Sequence, residues 1–163
     1  VSGRIIHTPY DLGLGFQLGA NCFQAGANPA IRVGTICLME SCNNCLNLFW
    51  ELEGADKPIL LIEFDNALVS RVLDETWNST ETDSKRWSGI DGSFARVIEG
   101  SEYPTDPGLL KTIHPDAKHY AFVTGDDCVD VIALDPPRAK LIEVEEIAQY
   151  RLQFPLPEYG NVA

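Results

Sequence analysis

A period of two in side-chain character runs through much of this chain, and the segment from His119 to Ala133 reads as a β-hairpin. Thr124-Gly125-Asp126-Asp127 divides that segment into two arms. Gly125 as the first residue of a two-residue loop suits a type II′ turn, which needs positive φ there. With that loop, Tyr120 opposes Val131, Phe122 opposes Val129 and Thr124 opposes Asp127. One face then carries aromatic and β-branched partners, the combination that packs well across strands. Moving the loop to Asp126-Asp127 breaks every one of these pairs, so the register is specified. The opposite face, with His119, Ala121, Val123, Cys128, Asp130 and Ile132, is mixed. It is expected to pack a second layer or to meet a partner.

The same period recurs upstream. Ile31, Val33, Thr35 and Cys37 alternate with other residues, Ser41 to Asn44 supplies turn types, and Leu46, Leu48, Trp50 and Leu52 alternate again. Gly54 to Lys57 predicts a turn and Ile59 to Phe64 a further strand, so these segments are expected to be consecutive antiparallel neighbours. Elsewhere the spacing points to helix. Leu68, Val69, Val72, Leu73 and Trp77 share a helical face behind Asp65 or Asn66 as cap, with a strand over Asn66 to Trp77 as the alternative. Phe94, Val97 and Ile98 predict a short helix stopped by Gly100. Val144, Ile147, Ala148 and Leu152 predict a final helix with Glu143, Glu145 and Glu146 at its start, ended before Pro155 and Pro157. Residues 1–30, rich in Gly and Asn, read as an irregular N-terminal segment with at most an edge strand. The sum is a single globular domain over residues 1–163. It is an α+β fold with a mainly antiparallel sheet, in which a meander and the hairpin 119–133 are joined by two or three short helices packed on one face.

Charge narrows the partners. Twelve Lys and Arg stand against 24 Asp and Glu, a net charge of −12. A phosphate backbone or an anionic membrane needs a basic surface, so neither nucleic acid nor membrane is expected. A basic protein partner or self-association fits the charge better. The longest uncharged run, Leu12 to Ile31, is interrupted by glycines, Asn21, Asn28 and Pro29, too broken for a transmembrane helix. Five cysteines, an odd number, argue against a complete disulfide framework. Reduced thiols, and hence a cytoplasmic setting, are expected.

Candidate chemistry is sparse. Cys37-x4-Cys42-x2-Cys45 has the spacing of the first three ligands of a plant-type iron–sulfur site, but Ile36, Leu38 and Met39 are too bulky around it and the next cysteine is Cys128. Cys42-Asn43-Asn44-Cys45 at a turn suits a redox pair better than a cluster, but no βαβ unit of the thioredoxin kind surrounds it, and the expectation is two small residues at a strand–turn–strand junction. His114-Pro115-Asp116 matches the tripeptide of J-domains, yet a strand follows it where a J-domain has a helix. His114, Asp116 and His119 are the one loop group that could meet on a metal. On the hairpin, His119 and Cys128 lie roughly 13 Å apart at strand rise, too far for a catalytic dyad, whereas His119 and Asp130 are diagonal neighbours. The glycines at 13, 15 and 19 lack the spacing of a phosphate cradle. With no catalytic motif, no cofactor and no metal expected, the chain reads as a small acidic binding protein rather than an enzyme. The first reading is an interaction or inhibitor-type module for a basic partner, contacted through Asp126, Asp127 and Asp130. The alternative is a small-molecule-binding domain or enzyme with a pocket between sheet and helices, its polar groups Arg96, Glu99, His119 and Asp130. A homo-oligomer formed through edge strands is the third.

Overall fold

The computed structural model describes residues 5–16, 18–20, 31–53, 58–74, 92–100, 103, 107–124 and 127–151. Its strands are β1 (Ile6–Pro9), β2 (Leu18–Ala20), β3 (Ile31–Cys42), β4 (Cys45–Leu52), β5 (Ile59–Phe64), β6 (Ala67–Asp74), β7 (Ala95–Glu99), β8 (Lys118–Val123), β9 (Asp127–Ala133) and β10 (Arg138–Ile142). The helix α1 spans Pro107–Ile113, and near the C-terminus a 3₁₀ turn at Val144–Glu146 leads into the single turn α2, Ile147–Tyr150. Two five-stranded sheets result. The first has the order β10-β5-β4-β3-β2, the second β1-β7-β8-β9-β6.

The hairpin holds its predicted register. Tyr120 pairs with Val131, Phe122 with Val129 and His119 with Ile132, and the Thr124 and Asp127 backbones are bonded at 2.8 Å. Gly125 and Asp126, the turn itself, lie outside the described residues. The β3-β4-β5 meander is antiparallel throughout, as its alternation requires. Its first turn is tighter than the composition suggested. Asn43 and Asn44, with φ of 49° and 66°, close a two-residue connection of the primed kind that matches strand twist. The predicted turn at Gly54 to Lys57 is outside the described residues.

The α+β assignment is overturned. Among the described residues the chain is mostly strand, with one helix of seven residues and no layer of helices on a sheet face. Two of the expected helices are strands. Ala67–Asp74 forms β6, an edge strand on β9 with partly buried residues on both sides and Val72 exposed, so its apolar positions fit either period. Ala95–Glu99 forms β7, paired with β1 and β8. Ala95 faces the other sheet while Arg96 and Ile98 turn outward, and all three are buried. A strand buried on both faces loses its alternation, and chance spacing then resembles a helix. Gly100, at φ 76°, ends that strand rather than a helix. The expected terminal helix shrinks to the 3₁₀ turn and α2, with the capping box of Glu143 and Glu146 at its start; Leu152 is outside the described residues. Within the N-terminal segment, β1 and β2 join one sheet each.

The inner faces of the two sheets form one core. Leu46, Leu48, Trp50, Leu60, Ile62 and Phe64 from the first meet Phe94, Tyr120, Phe122, Val129 and Val131 from the second. Trp50–Phe94, Phe64–Phe122 and Phe64–Tyr120 make edge contacts across the interface at 5.1 to 6.0 Å between centroids. Such pairs add about 0.5–1.5 kcal/mol each beyond the area they bury. Among the described residues no helix is long and apolar enough to cross a membrane.

Candidate functional site

The outer face of the second sheet gathers the polar residues that the inner face excludes. Pairing places Arg96 opposite Ala121, Ala121 opposite Asp130 and Asp130 opposite Arg71, one row across β7, β8, β9 and β6. The next row is Ile98, His119 and Ile132. Asp130 is entirely buried, and His119 and Arg96 are nearly so. A carboxylate there needs partners, since removing an ion from water costs several kcal/mol. Arg71 Nε donates to Asp130 Oδ2 at 2.8 Å, and His119 Nε2 meets Asp130 Oδ1 at 2.8 Å. The expected diagonal His119–Asp130 contact is therefore present. Tyr103 extends the group outward: its ring lies 5.4 Å from the His119 ring and 4.2 Å beneath the Arg71 guanidinium.

Beside this group, α1 and the residues after it stand off the sheet and leave a cleft of about 500 Å³. Its floor is the row Ile98, His119 and Ile132, its walls include Tyr103, Leu110 and Lys111, and Glu99 and Asp116 border it. The volume lies within the range of small-molecule sites. An ionised carboxylate only accepts hydrogen bonds, so the network assigns the His119 proton to Nε2, facing Asp130. Nδ1 is left buried with no hydrogen-bond partner among the described residues. Leaving such an atom unpaired costs on the order of 1–3 kcal/mol.

The candidates from the sequence separate here. His119 and Glu99 line the cleft, while Asp130 lies behind His119 as its anchor. Arg96 is in the same buried layer and donates Nε to the Ser93 carbonyl at 3.2 Å. Asp127 faces the other sheet, where its Oδ2 accepts the Ile36 amide at 3.1 Å beside the irregularity in β3. Asp126 is outside the described residues. Cys128 pairs with Val123, four positions along the strand from Ile132, the partner of His119. His114, Asp116 and His119 do line one cleft, but among the described residues no three His, Cys, Asp or Glu side chains are grouped to hold a metal ion. Arg71 and Lys111 were not singled out by sequence reasoning. Arg71 becomes visible once 67–74 is read as a strand, because it then shares the outward face with Val69 and Leu73.

Comparison with protein families, with curated proteins and with solved structures finds no match to this chain. The functional reading rests on the site alone.

Proposed function

We propose that this protein binds a small molecule in the cleft between the outer face of the second sheet and α1, and that His119 Nδ1 accepts a hydrogen bond from it. The single observation that carries this reading is that His119, which lines the cleft, has a buried Nδ1 with no hydrogen-bond partner among the described residues. Asp130 fixes the ring and its tautomer, and Arg71 holds Asp130. Ile98 and Ile132 flank the imidazole, so the preferred ligand has an apolar body and a donor such as a hydroxyl. A basic protein partner keeps the net charge of −12 in its support. Of the acidic hairpin residues meant to contact it, however, Asp130 is buried and Asp127 is engaged with β3.

Phenol, which offers a ring and one donor, and toluene, which offers the ring alone, serve as probes in a chemical-shift titration of labelled protein. Phenol is expected to perturb His119, Ile98 and Leu110, with toluene weaker by about tenfold, the worth of one hydrogen bond near 1.4 kcal/mol. Equal responses to the two probes, or responses mapping to other residues, would overturn the assignment.

A further inference from the structure

A second feature lies at the far end of the first sheet. The turn Asn43-Asn44 sets Cys42 and Cys45 directly opposite each other as the last pair of β3 and β4. Directly opposed residues of antiparallel strands have Cα atoms about 4.5–5.5 Å apart and side chains on the same face. That separation falls inside the range a disulfide spans. Both thiols are free and partly exposed. Cys45 Sγ is 3.9 Å from the Asp65 carbonyl, and Asp65 is held by Arg138.

The other described cysteines are differently placed. Cys128 is fully buried on the second sheet. Cys37 lies five residues before Cys42 on the same strand, roughly 17 Å away at strand rise. Its Sγ donates to the Phe49 carbonyl at 3.2 Å, and burial, with Glu51 nearby, pushes its thiol up from the ordinary range. A thiol held protonated is a poor nucleophile toward disulfides.

We infer that Cys42 and Cys45 form a reversible dithiol–disulfide site whose oxidant is a low-molecular-weight disulfide. One thiolate attacks a sulfur of the oxidant and expels the first thiolate, leaving a mixed disulfide on the protein. The second cysteine, losing its proton, attacks the protein-side sulfur of that bond and expels the second. Two protein thiols and one small disulfide become one protein disulfide and two small thiols. The link staples the end of the β3–β4 hairpin where the Asn44 carbonyl accepts the Ala67 amide at 2.7 Å, the point at which the chain crosses from one sheet to the other.

The test uses the full chain equilibrated with oxidised glutathione, quenched with an alkylating agent and mapped by mass spectrometry. The expected result is loss of two alkylatable thiols, a Cys42–Cys45 link within one molecule, and recovery of both thiols on adding reduced glutathione. Cys42→Ser is expected to arrest the reaction as a stable glutathione adduct on Cys45, while Cys37→Ser leaves the link unchanged. Cys42 and Cys45 both remaining alkylatable, or both carrying glutathione with no link, would overturn the inference. So would a link from either of them to another cysteine. These readouts are independent of ligand binding at His119.

Discussion

The outer faces of the two sheets are built alike and finished differently. On the first sheet, Phe49, Ile59, Leu61 and Ile142 form an apolar cluster roofed by Ile147 and Tyr150 of the C-terminal turns. The polar residues there are engaged: Asn47 Nδ2 donates to the Tyr150 carbonyl at 2.7 Å and Arg151 Nε to Glu40 Oε1 at 2.7 Å. Lys140 lies 3.0 Å from Glu63 and 3.9 Å over the Tyr150 ring. On the second sheet, a fully buried carboxylate and a nearly buried histidine lie beside an open cleft, and one histidine nitrogen has no partner among the described residues. Buried polar groups are normally satisfied, so this atom is an exception that separates the two faces. Among the described residues the first face is covered by its own chain, and the second carries the cleft.

The comparison breaks most sharply at Asp130. Asp130→Ala leaves Arg71 and His119 facing each other with no anion between them and is expected to cost about 3–5 kcal/mol in urea unfolding. A cost below 1 kcal/mol would mean that the buried group is not held by its carboxylate. On the closed face, Asn47→Ala removes one neutral hydrogen bond. A loss near 1 kcal/mol is expected, with faster amide exchange confined to residues 144–150. Glu40→Gln weakens an ion pair whose arginine is mostly exposed, and the expected change stays under about 1 kcal/mol and shrinks with added salt. The smallest effect at ordinary pH belongs to the interior. Burial, then Tyr10 and Asp135, push the Tyr120 phenol up to about 12. The unfolded chain loses that proton near 10, so the contribution of neutral Tyr120 is fully present below pH 10 and is lost as pH rises toward 12. An ultraviolet titration should show late tyrosine ionisation, and one tyrosine's share of that late step should be lost in Tyr120→Phe.

The hairpin was legible because two of its pairs, Tyr120–Val131 and Phe122–Val129, join an aromatic to a β-branched residue on a face that only one register keeps apolar. The meander was legible because Leu46, Leu48, Trp50 and Leu52 keep period two, with Phe49 the one apolar residue between them. β6 and β7 were not, for opposite reasons. The edge strand β6 is half-buried on both sides, and β7 is buried on both faces, so neither shows the period of its own structure. The helical reading of both segments produced the wrong fold class. The His119–Asp130 contact followed from strand geometry alone. Arg71 and the cleft could not follow, because both depend on β6 being a strand and on where α1 stands, which tertiary packing decides.

The central claim is that His119 Nδ1 awaits a donor. Long-range nitrogen–proton correlation spectra of histidine-labelled protein read that atom directly, with and without phenol. The account predicts a proton on Nε2 and a bare Nδ1 in the free protein, whose resonance moves upfield when phenol donates to it. A Nδ1 that already carries the proton, or whose resonance is unmoved at phenol concentrations that shift Ile98 and Leu110, would contradict it.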